Sequence, residues 1–151
     1  MMDIVRLGSA DTDLARDTFA MMAVVFEDLD HRPLHAPYLA RLLTRPDLWL
    51  YAAVAEGRPI GGLTAHALPM TRTESTELLT YDLAIRSDWQ RRGVGRAMIA
   101  RLLKDGAAAG VSEMWVPADD EDAQALEFYR RTGGQAQPVT IFTYPTTNAR
   151  P

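Results

Sequence analysis

The chain predicts an α/β (α+β) fold, one sheet covered by helices, and three observations lead there. Strand-like and helix-like segments alternate along 151 residues. A glycine-punctuated turn at 90–96 leads from a β-branched and aromatic run straight into a long helical pattern. Two apolar runs flanking Glu56-Gly57-Arg58-Pro59 read as a hairpin. An apolar fraction of 47% with 24% charged residues is that of a soluble globular protein. No repeat, low-complexity block or linker divides it, so a single domain over 1–151 is expected, with 145–151 as a frayed tail.

Taken in order, residues 3–7 alternate like a short edge strand, and Gly8-Ser9-Ala10-Asp11 offers turn and helix-capping chemistry. A helix fits 12–26, where Leu14, Phe19, Met22 and Phe26 recur near helical spacing. Residues 27–37, with Glu27, Asp28, Asp30, His31 and His35, read as a loop before a short helix at 38–44 that stops ahead of Pro46. Strands are expected at 48–55, 60–68 and 77–86. The helix at 92–109 places Val94, Met98 and Leu102 on one stripe with Ile99 and Leu103 beside it, and Gly110 closes it. A strand at 111–118, a helix at 120–132 ended by Gly133-Gly134, and a last strand at 139–144 complete the pattern. Pro117 costs a backbone donor: either that strand ends at Val116, or its neighbour diverges there and nothing is lost.

Several function classes drop out early. Without cysteine there is no disulfide, thiol nucleophile or cysteine-ligated metal, and a reducing compartment is favoured. The first residues lack a basic-then-apolar leader and no run approaches about 20 apolar residues, so a cytoplasmic protein without a membrane partner is expected. A formal net charge of -4 argues against a nucleic-acid partner and suits a cationic one. A homodimer is compatible with the sequence and not dictated by it.

Chemistry concentrates in the stretch running from Tyr81-Asp82-Leu83-Ala84-Ile85 to Gln90-Arg91-Arg92-Gly93-Val94-Gly95-Arg96. Gly93 and Gly95 remove Cβ atoms where a helix begins, so backbone N–H groups can converge on an anion that the helix dipole also favours. A tight turn with no ligand would use the same glycines. A Walker loop would need Gly-Lys-Ser/Thr, and a dinucleotide fingerprint needs glycine where Met98 stands; neither is present.

The remaining pattern, Gln90-x-x-Gly93-x-Gly95 after a strand ending Leu83-Ala84-Ile85, resembles the acetyl-CoA loop of the GNAT N-acetyltransferase superfamily. Within it, residues 81–85, Arg91-Arg92-Gly93, Ala118-Asp119 with Asp122, and Tyr129 resemble class I aminoglycoside 3-N-acetyltransferases, a likeness covering roughly 26–133. The resemblance implies a mixed, mostly antiparallel sheet splayed between strands four and five and flanked by about four helices. It implies acetyl-CoA in that cleft: pantetheine along Leu83, Ala84 and Ile85, diphosphate on Gln90, Arg91, Arg92, Gly93, Val94, Gly95 and Arg96, with Arg86, Arg92 and Arg96 adding charge. No metal is implied. Tyr129, which helical spacing alone would make a packing aromatic, is implied to face the CoA sulfur, where a phenol can protonate a departing thiolate. Where many relatives carry an aromatic after the first glycine of this segment, the chain has Gly134.

Amine acylation needs a neutral nucleophile, and Asp82 is the first candidate to take its proton; Glu77 and His66 are alternatives. On a period-two strand Asp82 points opposite to Tyr81 and Leu83. A carboxylate there could equally satisfy neighbouring backbone or an arginine. Asp119-Asp120-Glu121-Asp122 reads as helix-capping acid, and also as one wall of a cleft for a polyamine. Asp28, Tyr81, Asp82, Asp119 and Asp122 are the expected substrate contacts. The expected activity is acetyl transfer to the 3-amino group of a 2-deoxystreptamine aminoglycoside, a resistance activity. Its alternatives are another small amine, a polyamine or a protein N-terminus, and outside enzymes an acyl-CoA-binding sensor.

Overall fold

A computed structural model describes residues 1–147; the end of the expected tail, 148–151, lies outside the described residues. The chain forms two compact units, Met1–Pro117 and Ala118–Pro151. In the first unit the order is β1 (Met2–Arg6), α1 (Thr12–Val25), α2 (Ala36–Thr44), β2 (Leu48–Ala55), β3 (Arg58–Pro69), β4 (Thr76–Ile85), α3 (Val94–Ala108) and β5 (Glu113–Trp115). The five strands form one sheet in sequence order, antiparallel except for the β4–β5 pair. This is the mixed α/β architecture the sequence predicts.

Local chemistry sets the joins. The β2–β3 hairpin turns on Glu56 and Gly57, both with positive φ, 53° and 73°, the twist that a two-residue turn between antiparallel strands demands. Adjacent glycines at the middle of β3 admit the two helical layers. A Cβ on Gly62 would run into Met22 and Thr18 of α1, while one on Gly61 would run into Met98 and Val94 of α3 and Ile85 of β4. Because neighbouring strand residues face opposite sides, α1 lies on the Gly62 face and α3 on the Gly61 face. Met98, Ile99 and Leu102 of α3 are buried as the stripe predicts, but Leu103 is 45% exposed. In α1 the buried residues are Ala15, Thr18, Met22 and Ala23, and Phe26 is half exposed.

One polar tie crosses this unit. Tyr51 of β2, 1% exposed, donates its hydroxyl to Asp105 Oδ2 at 2.9 Å. Arg101 holds the same carboxylate through Nε at 3.0 Å and donates from Nη1 to the Ile4 carbonyl at 2.8 Å. Burial first, and the Asp105 bond second, push the Tyr51 phenol well above its ordinary range, so it serves as a neutral donor.

Two expected strands change. The strand placed at 111–118 is only Glu113–Trp115, so it ends one residue before Val116 and Pro117 lies beyond it. In the second unit α4 (Ala123–Arg131) forms as expected, with Asp122 Oδ1 accepting from the Ala125 N–H at 3.0 Å as its cap. The strand expected at 139–144 is not formed: the segment has strand-forming side chains but makes no ladder, and every residue from 133 to 147 is exposed.

Candidate active site

β4 is the element that positions the candidate chemistry. Its pairing with β3 slips between Thr64 and Ala65: Thr64 stands opposite Asp82 and Ala65 opposite Thr80, so Tyr81 is an extra residue, a β-bulge. The bulge corrects the simple period-two expectation. Without it, Thr80 and Asp82 would share a face. With it, Thr80 turns under α3 and is fully buried, while Asp82 shares the α1 face with Thr64, whose hydroxyl reaches Asp82 Oδ2 at 3.5 Å. His66, two residues along β3 from Thr64, meets Tyr81 edge-on with ring centroids 6.1 Å apart, and Tyr81 itself is 63% exposed. Asp82, Thr64, His66 and Tyr81 therefore gather at one bulge.

Burial raises the Asp82 carboxyl above the usual carboxylate range, opposed by the Thr64 hydrogen bond and by His66. A carboxylate with partial desolvation and only one long hydrogen bond is a stronger proton acceptor than a solvated one. Glu77, the alternative base, instead accepts from Trp115 Nε1 at 3.1 Å and joins β4 to β5.

Beyond that join β4 has an open side. Among the described residues β5 pairs with Glu77, Leu78 and Leu79 alone, and residues 80–85 of β4 pair with β3 alone. This is the divergence between strands four and five that the sequence resemblance implies, and it leaves residues 80–85 without a β5 partner, as an extended amide-bearing ligand would require. The chain then makes one 3-10 turn, Ser87–Trp89, and Gln90 Nε2 donates back to the Ile85 carbonyl at 3.0 Å, pinning the loop to the strand.

Arg91 and Gly93 both adopt left-handed φ, 62° and 83°, and α3 begins directly at Val94. That start has no side-chain cap and no acidic residue in its first turn, while Val94 and Gly95 are buried against the sheet. Such a helix start offers N–H groups and positive dipole to an anion, which fits a diphosphate. The arginines divide. Arg86 is committed to Asp88 through two bonds at 2.6 and 2.9 Å, and Arg92 lies over Trp89 with its guanidinium carbon 5.0 Å from the ring centroid. An open cleft of about 580 Å³ between Met21, Glu27, Arg58, Arg86 and Gln90 borders the same loop on the α1 side. Asp82 does not line it.

The expected substrate acids are placed less tightly. Asp28 is exposed and accepts from the Asp30 N–H at 3.3 Å. In the second unit Asp119 accepts from the Glu121 N–H at 2.9 Å in a turn ahead of α4, and Asp122 caps α4, so the capping reading is realised at Asp122. Tyr129 lies on α4, partly buried, with its ring 5.1 Å from that of Phe128 in an edge-on arrangement. Thr64 is the site residue that sequence reasoning missed. Its role depends on strand register, which the Tyr81 bulge resets and no local pattern announces. Among the described residues no cluster of three or more His, Asp or Glu side chains is arranged to hold a metal.

Known proteins share this fold. An aminoglycoside acetyltransferase from an uncultured soil metagenomic sample, crystallised with sisomicin, matches at 28% identity over 97% of each chain with a TM-score of 0.92. A second aminoglycoside acetyltransferase from an uncultured soil metagenomic sample matches at 31% identity over 97% of this chain and 99% of that one, again with a TM-score of 0.92. The ribosomal protein bS18 alanine N-acetyltransferase of Escherichia coli is 29% identical over 84 residues, 56% of this chain and 57% of that relative. The chain thus spans little more than half the length of the curated relative it matches. Residues 13–134 match the model of the acetyltransferase (GNAT) family, and the chain belongs to that family.

Proposed function

We propose that the chain transfers an acetyl group from acetyl-CoA to a primary amine of a cationic small molecule, the 3-amino group of a 2-deoxystreptamine aminoglycoside. The observation that carries the reading is Asp82: a half-buried carboxyl with a raised pKa, set by a bulge beside the open stretch of β4. Similarity over nearly the whole chain to two aminoglycoside acetyltransferases supports the substrate class.

Acetyl-CoA supplies an activated acyl group and a thiolate leaving group. The N–H groups from Arg91 to Arg96 at the start of α3 hold its diphosphate, and the backbone of Leu83, Ala84 and Ile85 aligns its amide-bearing arm. Asp82, directly or through one water, accepts the proton the amine must lose, and Thr64 keeps that carboxyl oriented. Tyr129 gives a proton to the departing sulfur. Asp28, Tyr81, Asp119 and Asp122 supply the remaining contacts, in which the acids draw ammonium groups of the substrate.

Thiol release from acetyl-CoA with a panel of aminoglycosides, polyamines and peptides tests this, with the position of the new amide fixed by NMR. Turnover is expected with 2-deoxystreptamine compounds and an amide at the 3-nitrogen. Acetylation elsewhere on the same ring system would overturn the regiochemistry alone. Turnover confined to peptides beginning with alanine would favour the second reading, a protein N-terminus, which the bS18 alanine N-acetyltransferase similarity motivates.

A further inference from the structure

The α1 face of the sheet is covered at one end and open at the other. At Gly62 it packs directly on Thr18 and Met22 of α1. Further along β3, Thr64, His66 and Leu68 lie on the same face, opposite Asp82, Leu79 and Glu77 of β4. β5 continues these rows, setting Trp115 beside Leu79 and Glu113 beside Glu77. None of these side chains is buried, whereas Ala65, Leu78 and Thr80 on the α3 face of the same strands are. The open end therefore runs without interruption from the bulge at Asp82 to the start of β4.

Its chemistry is aromatic and acidic. Tyr81 stands against His66 at one end, and Trp115, 41% exposed, at the other. Trp115 Nε1 donates to Glu77 Oε1 at 3.1 Å, which fixes the direction of that carboxylate while its other oxygen stays open to a ligand. Glu113 is directly opposite Glu77, and like charges in that position cost stability unless a cation lies between them. Among the described residues neither glutamate forms an ion pair. A metal ion does not suit the pair, because no third His, Asp or Glu joins it. An organic ammonium does: it needs a carboxylate or two and gains from the face of an indole.

We infer that Glu77, oriented by Trp115 and backed by Glu113, anchors a second ammonium group of the same cation whose amine is acetylated beside Asp82. The inference rests on the acetyl-transfer reading of Asp82 and adds a length requirement to it. Glu77 stands opposite Leu68 and Asp82 opposite Thr64, four residues away on β3, so the two carboxylates are separated by about 13 Å along the strand. A substrate that spans them carries two nitrogens on the order of 10 Å apart, each within a charge-assisted hydrogen bond of its acid. In a 2-deoxystreptamine compound acetylated at the 3-nitrogen, an amino sugar on the 6-oxygen projects away from that nitrogen across the ring and brings its amine to such a distance. A compound with a sugar only on the neighbouring 4-oxygen keeps its amines closer. Glu77 thus selects for the third ring, and Asp82 acts on the amine.

Steady-state kinetics with two substrates test the anchor: sisomicin, which has the amino sugar on the 6-oxygen, and neamine, which lacks it. Glu77→Gln keeps an acceptor for the indole and removes the charge. It should raise KM for sisomicin about 10-fold or more with kcat nearly unchanged, and alter KM for neamine and acetyl-CoA less than about twofold. Glu113→Gln, at an exposed position, should raise KM for sisomicin about two- to fivefold with the same selectivity, and it serves where the Glu77 variant folds poorly. Equal losses on both aminoglycosides, or no loss on either, overturn the anchor while the acetyl-transfer reading stands. Wild-type turnover of spermidine and of neither aminoglycoside would sink the aminoglycoside reading instead. The anchor is then decided on spermidine, whose end nitrogens are far apart, against butylamine, which has one nitrogen, and an equal effect of the Gln change on both again overturns it. Turnover of peptides alone overturns both.

Discussion

The two halves of β4 share a backbone conformation and one neighbour, β3, yet they are built for different work. Residues 77–79 sit between two strands, with Leu78 1% exposed and Glu77 bonded to the Trp115 indole. Residues 80–85 have β3 alone, a bulge at Tyr81, and the one carboxyl on the strand whose pKa burial raises. Satisfaction of every backbone and apolar group makes a strand stable. Chemistry begins where that satisfaction is withheld, and the difference teaches that a half-paired strand can offer both an edge for a ligand and a side chain turned off its regular alternation.

Four changes sharpen that contrast. Leu78→Ala should be the most damaging to the fold, costing about 2–5 kcal/mol by denaturant titration, because a fully buried leucine leaves a cavity against Gly106 of α3. If the halves differ as described, the folded fraction keeps its KM values. Asp82→Asn should do the reverse, lowering kcat about 100-fold or more with the melting midpoint and acetyl-CoA binding by calorimetry almost unchanged. Equal turnover by wild type and the Asn variant would remove Asp82 as the proton acceptor.

The pH profile should follow. With the Asp82 carboxyl raised by burial, the acid limb of kcat/KM lies above the ordinary aspartate value, and rate is lost as pH falls through it. Thr64→Val deletes a hydrogen bond that favours the ionised form, so the limb should move to higher pH, and an unmoved limb would show that Thr64 does not act on Asp82. The smallest effect is expected at the junction of the halves. Thr80 is fully buried and its hydroxyl has no hydrogen-bond partner among the described residues, so Thr80→Val should be neutral or stabilise by at most about 1 kcal/mol. Marked destabilisation would reveal a partner for that hydroxyl.

Most of the fold was legible because it rests on local signals. Gly57 and Gly93 mark backbone that must be left-handed, the Val94, Met98, Leu102 stripe marks a buried helix face, and Asp122 marks a helix start. Three features were not legible, and each depends on a partner distant in sequence. The Tyr81 bulge exists only relative to β3, since Thr80-Tyr81-Asp82 taken alone alternates acceptably. β5 stops at Trp115 because β4 pairs with it only to Leu79, which the apolar run up to Val116 does not disclose. Residues 139–144 have the composition of a strand and do not form one, since a strand needs a ladder partner as well as composition. For the site, the uncapped start of α3 could be read from its glycines, whereas the environment of Asp82 required knowing that Thr64 lies across from it. Asp119 and Asp122 carried two readings in sequence; Asp122 makes the bond of a cap and Asp119 that of a turn.

The second unit also changes what a stability measurement on this protein means. With no buried residue among its described ones, it has no core of its own to melt cooperatively. A calorimetric transition therefore reports the core of Met1–Pro117, and opening within 118–147 has to be read separately, by amide hydrogen exchange.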